Sequence, residues 1–236
     1  MVSFIVPAYN EKFELPRTLQ AIRNAAGDQQ NEIIVVDDAS ADGTANVARQ
    51  AGAKVVSINR RQIAAARNAG AQAARGDMLF FVDADTRINR KHVSGAIAAL
   101  GTGWSGGSAR VTVSGTIPAW SRIFLKVFCG IYFGFNLGAG AFLFTTRNNF
   151  EAVGGFDESL FVGEEVYFSL ALRKLGRFRI LREPIVTSGR KLRIYSAREI
   201  LMNSFYAITH GIRAAGSRQG LEIWYDGKRE TESTTI

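Results

Sequence analysis

Two aspartates one residue apart, Asp83 and Asp85, close the apolar run Met78–Val82. If that segment stays extended, strand alternation puts both carboxylates on one side. Hard oxygen donors set this way suit Mn²⁺ or Mg²⁺, which keep bound waters and share phosphate oxygens with a substrate. A second acidic pair, Asp37-Asp38, ends the run Glu32–Val36. Its carboxylates can accept hydrogen bonds from a ring N–H or a ribose hydroxyl, or cap the next helix or turn, and one acid can do each. A third pair, Glu164-Glu165, opens a strongly apolar helical segment. Acids there complement the helix macrodipole, and a carboxylate beside a cleft can also act as general base for an attacking hydroxyl. The residue types leave both readings open. His92 and His210, the only histidines, are expected as packing or surface residues. His210 alone lies in a basic region where metal or phosphate is within its reach.

The elements that must carry these acids alternate. Val2–Pro7 reads as a buried strand, and Leu15, Leu19 and Ile22 recur at helical spacing with Pro16 in the first turn. Glu32–Val36 is a second strand, Asp42 or Thr44 can cap a short helix to Ala51, and Lys54–Ile58 is a third strand. Ile63–Arg75 is an alanine-rich helix stopped by Gly76, and Met78–Val82 is a fourth strand. Such alternation implies right-handed crossovers and a mostly parallel twisted sheet covered by helices on both faces. Ligands of such sheets bind outside the carboxyl ends of the strands, where Tyr9-Asn10-Glu11, Asp37-Asp38 and Asp83/Asp85 all fall. Later the pattern loosens. Strands are expected at Ser105–Ser114, Ala141–Thr145 and Arg177–Leu181, and helices at Trp120–Phe135, Val166–Leu175 and Ala197–Ala215. Gly154-Gly155-Phe156-Asp157-Glu158 is a turn.

The chain of 236 residues, 47% hydrophobic and 21% charged, fits one α/β domain over about residues 1–225. Its first half would be about 1–100 and its second about 101–225, with 226–236 a flexible tail. One cysteine, Cys129, forms no internal disulfide and suits a reducing compartment. The first residues carry no basic, cleavable leader pattern, so a cytoplasmic protein is expected. Net charge is +8, and Arg173–Arg218 alone carries +9, from eleven Lys/Arg against Glu183 and Glu199. That basic region is either a solvated face or a peripheral contact with phosphates or the inner face of an anionic membrane. No nucleic-acid partner is expected. Val127–Thr146 is uncharged for twenty residues, but its glycines and Asn136 favour a soluble helix followed by a buried strand over a membrane span. No G-x-G-x-x-G follows the first strand, which excludes a Rossmann dehydrogenase. The loop after that strand also lacks the glycine-rich, basic character of a nucleotidyltransferase.

Taken in order, Val6-Pro7-Ala8-Tyr9-Asn10-Glu11, Val35-Val36-Asp37-Asp38-Ala39-Ser40, Asp42-Gly43-Thr44, Ala65-Ala66-Arg67-Asn68-Ala69-Gly70 and Phe81-Val82-Asp83-Ala84-Asp85-Thr86 resemble the family 2 glycosyltransferases of GT-A fold. The similarity returns at Arg147, Phe150, Gly154–Glu158 and Glu164-Glu165. The resemblance implies a nucleotide-diphosphate sugar donor, inversion at the anomeric carbon and use of Mn²⁺ or Mg²⁺. By matching position, Pro7, Tyr9 and Glu11 would line the nucleotide pocket, and Asp38, with help from Asp37, would bind base or ribose. Arg67 would lie near the pyrophosphate, Asp83 near ribose or metal, and Asp85 would be the principal metal ligand. The family's acid pair usually ends in Asp, the catalytic base; here that position is Glu165, with Glu164 before it. Val186-Thr187-Ser188-Gly189-Arg190-Lys191 is similar to a short form of the family, in which these residues would face the pyrophosphate. The acceptor stays open between a glycan, a lipid and a small molecule. The alternative is a catalytically silent nucleotide-sugar-binding module of the same fold, favoured only by the substitution at Glu165.

Overall fold

The computed structural model describes residues 1–196, together with 198, 199 and 202. Its first half runs β1 (Val2–Ala8), α1 (Leu15–Ala26), β2 (Asn31–Asp38), α2 (Thr44–Gln50), β3 (Lys54–Ile58), α3 (Ile63–Ala73), β4 (Met78–Val82), β5 (Thr86–Arg87) and α4 (Arg90–Gly101). The second half runs β6 (Gly106–Ser114), α5 (Ala119–Gly134), β7 (Phe142–Thr146), α6 (Arg147–Ala152), α7 (Glu164–Leu175), β8 (Phe178–Ser188) and α8 (Arg190–Ile194). Eight strands form one sheet in the order β3-β2-β1-β4-β7-β6-β8-β5. The β3-β2-β1-β4 half is parallel, as is β6 with β8. β7 enters antiparallel to both β4 and β6, and β5 antiparallel to β8. The sheet is therefore mixed, with its parallel half on the side the alternating pattern described.

Period-two alternation sorts the strand residues onto two apolar layers. Val2, Phe4, Val6, Ile33, Val35, Phe80, Val82, Phe142 and Phe144 face α1, α2 and α4. Ile5, Ile34, Val36, Leu79, Phe81 and Leu143 face α3, α6 and α7. The central strands β1, β2, β4 and β7 are buried on both sides, so each reads as a continuous apolar run rather than an alternating one. Phenylalanines lock each layer. Phe80 meets Phe4 and Phe142 edge-on at 5.5 and 6.0 Å on one face, and Phe156 stacks on Phe168 at 4.1 Å on the other. Such pairs add about 0.5–1.5 kcal/mol beyond burial. Gly70 permits the close crossing of α3: a Cβ there would stand 2.3 Å from Ile5 Cγ2 and 3.0 Å from Val36 Cγ2.

The structure departs from the expected elements chiefly at helix α4 and at strand β8. Helix α4 starts at a capping box, with the Asn89 N–H donating to His92 Nδ1 at 2.9 Å. His92 is buried there and its Nε2 meets the Glu183 carbonyl at 3.2 Å, so it is a cap. Strand β8 continues well beyond Leu181 because it pairs with β6 through a bulge: Ala109 pairs with Leu181, then Val111 with Ile185. The register break lets Pro184, which has no N–H, sit inside a paired strand. The expected helix Ala197–Ala215, apart from residues 198, 199 and 202, lies outside the described residues, as do His210 and the tail. Among the described residues no helix is long and apolar enough to cross a membrane.

Candidate functional site

The carboxyl ends of β1, β2 and β4 open onto one cleft. It is lined by Pro7, Tyr9, Glu11, Asp38, Asp83 and Asp85, with Arg61 and Arg190 among the cationic walls. Three residues at its rim, Asn10, Ala39 and Arg61, have φ of 53°, 61° and 49°. Left-handed backbone costs a residue with a Cβ roughly 1–2 kcal/mol, and such strain concentrates at functional sites. Here it turns the chain sharply at the end of β1, at the end of β2 and ahead of α3. The Arg61 guanidinium lies 3.5 Å from the centroid of the Tyr9 ring.

Asp38 and Asp37 are treated differently. The Asp38 carboxylate accepts from the N–H groups of Arg60, Arg61 and Gln62 at 2.7, 2.8 and 2.7 Å. It therefore organises the entrance to α3 while lining the cleft. These N–H groups precede the first residue of α3, so Asp38 ties down the loop ahead of that helix and does not cap it. Asp37 is buried, and its Oδ1 accepts no hydrogen bond among the described residues. At α2, Asp42 performs the turn, accepting from the Thr44 N–H at 2.9 Å and the Lys12 N–H at 3.1 Å.

Asp83 and Asp85 both reach the cleft, but strand alternation is not what puts them there. The chain leaves β4 at Val82 and turns, with the Thr86 N–H donating to the Asp83 carbonyl at 3.0 Å. The extended geometry expected for Asp83-Ala84-Asp85 is replaced by this turn, and each carboxylate faces a different arginine. Asp83 Oδ1 meets Arg67 Nη2 at 3.1 Å. Burial pushes the Asp83 carboxyl above its usual range, against the attraction of Arg67. Asp85 Oδ2 meets Arg190 Nη2 at 3.1 Å, and its Oδ1 accepts from the Thr187 hydroxyl at 3.2 Å. Among the described residues no three His, Cys, Asp or Glu gather as a closed metal cage. Two carboxylates at a cleft are nonetheless hard oxygen donors of the kind Mn²⁺ or Mg²⁺ take, completing their shells with water and phosphate.

Arg67 does not line the cleft. It is 1% exposed beneath the floor, where Nη1 pairs with Glu164 at 2.7 Å and Nη2 also donates to the Gly140 carbonyl at 2.9 Å. The alanine-rich α3 brings it down onto the sheet, and it joins the β4 turn to the start of α7. Helix α7 begins after Gly163, at φ 75°, a turn a Cβ would strain. Glu164 is buried against Arg67, and Glu165 lies beside it without that direct pairing. Burial, then the neighbouring Glu164 charge, pushes Glu165 up to about 8.

Glu11, expected as a nucleotide-pocket residue, does line the cleft, but its partner is one the motifs do not indicate. Arg190 Nη1 and Nη2 grip its two carboxylate oxygens at 2.7 and 2.5 Å. The Thr187–Arg190 segment thus lies against Asp85 and Glu11. The only sign of this in the sequence is the pairing of a Thr-Ser with basic residues after the last strand.

Known proteins resemble this chain in sequence and in fold. The family model described as Glycosyl transferase family 2 matches residues 3–132. A 4,4'-diaponeurosporenoate glycosyltransferase of Staphylococcus haemolyticus is 36% identical over 103 residues, 41% of this chain and 27% of that protein. An undecaprenyl-phosphate 4-deoxy-4-formamido-L-arabinose transferase of Aeromonas hydrophila is 36% identical over 115 residues, 44% of this chain and 35% of that protein. The chain thus spans about a quarter to a third of the length of these curated relatives. Among solved structures, the mannosyltransferase PcManGT of Pyrobaculum calidifontis, in complex with GDP-Man and Mn²⁺, superposes with a TM-score of 0.67 at 21% identity, covering 96% of this chain and 73% of that one. Glucosyl-3-phosphoglycerate synthase of Mycobacterium tuberculosis, with Mn²⁺, UDP and glucosyl-3-phosphoglycerate, gives 0.65 at 19%, covering 92% and 80%. These two likenesses establish the fold. The match over residues 3–132 takes in more than half of the chain, and the chain belongs to glycosyl transferase family 2.

Proposed function

We propose that this chain is an inverting, divalent-metal-dependent glycosyltransferase that moves a sugar from a nucleoside-diphosphate sugar to an acceptor hydroxyl. The observation that carries the reading is the convergence of Pro7, Tyr9, Glu11, Asp38, Asp83 and Asp85 on one cleft, with Arg67 bridging Asp83 to Glu164 behind it. In this reading Pro7 and Tyr9 wall the nucleotide, and Asp37, with its unpartnered buried oxygen, and Asp38 take its base or ribose. Asp85 would hold Mn²⁺ or Mg²⁺, with Asp83, tied to Arg67 through Oδ1, able to add only its other oxygen, and the cation would supply charge neutralisation for the departing diphosphate. Glu165 takes the proton of the acceptor hydroxyl as that oxygen attacks the anomeric carbon opposite the leaving nucleotide. Its raised proton affinity suits a base working near neutral pH. Glu164, neutralised by Arg67, holds α7 in place. A catalytically silent module would bind donor without turnover.

The acceptor side faces α5. Tyr132 on that helix has its hydroxyl pushed up by burial and by the Glu165 charge, which sets the helix beside the base. Its outer side exposes Ile123, Val127, Ile131 and Phe135, 69, 57, 59 and 67% accessible at four-residue intervals. Arg122 and Lys126 flank the stripe, and between Asp85 and Glu151 the sequence holds seven Lys/Arg and no acid. An apolar face flanked by Arg122 and Lys126 complements an anionic bilayer, and in this reading a lipid-linked acceptor reaches Glu165 from the inner membrane face. This moves the expected contact from Arg173–Arg218, most of whose later part lies outside the described residues, to α5.

Calorimetry of UDP and GDP with Mn²⁺ or Mg²⁺ tests the donor site. Binding should require the cation and be lost in Asp85→Asn with the fold intact; unchanged affinity in that variant removes the metal assignment. Co-sedimentation with phosphatidylglycerol vesicles tests α5. Binding should fall in stripe variants such as Val127→Glu and weaken in high salt, and wild type that ignores such vesicles at low salt removes the membrane reading.

A further inference from the structure

Arg190 begins the five-residue helix α8, yet its guanidinium lies inside the cleft, 8% exposed. Its fork grips both oxygens of Glu11, the bidentate arrangement that makes arginine–carboxylate pairs strong and directional. The same Nη2 reaches Asp85 Oδ2 at 3.1 Å. Because Thr187 donates to the other Asp85 oxygen, the β8–α8 segment occupies both oxygens of the carboxylate assigned to the metal. Divalent cations of this size take carboxylate oxygens at about 2.0–2.1 Å. A cation at that distance from Asp85 Oδ2 and a guanidinium hydrogen-bonded to the same oxygen exclude each other by space and by charge. The cleft is also short of room: about 170 Å³ is free, against roughly 300–1,000 Å³ for small-molecule sites.

Building on the proposed metal-dependent reading, we infer that Arg190 is a resident cation at Asp85, excluding a divalent ion from that carboxylate until a nucleoside diphosphate enters. Glu11 is the hinge of this exchange. It keeps hold of the guanidinium while Nη2 leaves Asp85 for the incoming phosphate oxygens, so the positive charge stays in the cleft and changes partner. Two consequences follow. The metal alone binds weakly, because it must displace an arginine with no new anion to receive it. Metal and diphosphate bind cooperatively, because the diphosphate relieves the displaced arginine, and linkage makes the coupling reciprocal.

The exchange is read from metal affinity, without turnover. Mn²⁺ binding to wild type, Arg190→Gln, Arg190→Lys and Asp85→Asn is measured by calorimetry or by the electron-spin signal of free Mn²⁺, with and without UDP or GDP. Arg190→Gln should bind Mn²⁺ alone about tenfold or more tightly than wild type, bind the nucleotide in Mn²⁺ more weakly, and lose most of the coupling. Arg190→Lys, which keeps the charge without the fork, should fall between, and it stands in if the glutamine variant does not fold. If Mn²⁺ alone binds Asp85→Asn as it binds wild type, the metal reading falls and the inference with it. If Asp85 is needed for Mn²⁺ but neither Arg190 variant binds the ion more tightly than wild type, the inference falls by itself.

Discussion

The two arginines that meet the Asp83–Asp85 turn stand in opposite circumstances. Arg67 lies under the cleft floor, held by Asp83, Glu164 and the Gly140 carbonyl. Arg190 lies in the cleft, held by Glu11 and Asp85, on a short helix that follows the last strand. Both neutralise buried acids, but only Arg190 has a space beside it that another cation can enter. A guanidinium sealed from solvent is part of the fold, whereas one lining a cleft is exchangeable. The difference teaches that the two carboxylates of the turn are not equivalent ligands. Asp83 is committed to a bridge between the two halves of the molecule, and Asp85 is free to change partner.

The largest effect should come from breaking the sealed cluster. Arg67→Met leaves Glu164 and Asp83 without their shared cation, and removing one partner of a buried pair costs about 3–5 kcal/mol. Denaturant melts should show that loss, and Mn²⁺ should not restore it. Arg190→Gln should also lose stability, since Glu11 is buried, but Mn²⁺ should recover part of it by occupying the vacated position. Equal rescue of both variants, or of neither, would erase the distinction between the two arginines.

Next in size is the contrast between the two adjacent glutamates. Glu165→Gln keeps the shape of the side chain and removes its basicity, so transfer should fall by about 10²–10⁴ while donor and metal affinity hold. Glu164→Gln weakens the Arg67 bridge, so its loss should appear in the melting temperature and in acceptor KM. A Glu165→Gln enzyme turning over normally beside an inactive Glu164→Gln would invert these roles.

Smaller again is the effect at Asp38. Asp38→Asn keeps one acceptor oxygen for the three N–H groups of residues 60–62 and should cost about 0.5–1.5 kcal/mol, the net contribution of a hydrogen bond. Asp37→Asn, whose Oδ1 has no partner to lose, should be near neutral in stability and show itself in nucleotide affinity. Melts and calorimetry on the two variants check both halves of that statement.

Much of this is legible in the sequence, and the limits have physical causes. Lys54–Ile58 and Met78–Val82 match their strands end for end because each is a short β-rich run between polar flanks, Asn59-Arg60 after the first and Asp77 and Asp83 around the second. The cleft can be located because acids at strand ends fall on one edge of a parallel sheet whatever the rest of the fold does. The turn at Asp83 is not legible, because an alternating D-x-D looks the same extended or turned. Nor is the Glu11–Arg190 pair, whose members lie 179 positions apart and meet only because β8 runs on through a bulge. Arg67 gives no sign of burial, since an arginine in an alanine-rich helix usually points to water. Its Nε, without a hydrogen-bond partner among the described residues, is the residue of that unusual placement.

In the last prediction, stability and activity move in opposite directions. Burial and the Glu164 charge raise Glu165 from 4.5 to about 8 in the folded protein. In the unfolded chain it titrates near its ordinary value, so between these limits the folded state binds the proton that the unfolded state has released. Stability therefore falls as pH rises across that window, and it is fully present below the unfolded value. Catalysis requires the opposite species, the carboxylate, so kcat/KM should climb through the upper part of the same window. Glu165→Gln should flatten the descending stability profile and remove the ascending limb of whatever activity is left. The same glutamine at position 164 should leave the stability descent in place, reduced in height because one of the two charges pushing Glu165 upward is gone. Melting temperatures from about pH 4.5 to 8.5, the span between the two values, taken beside rate profiles for wild type and both variants, separate the cases. A wild-type melting temperature that rises across the window would mean that Glu165 is ionised throughout, and that the Arg67 cluster reaches far enough to serve both glutamates.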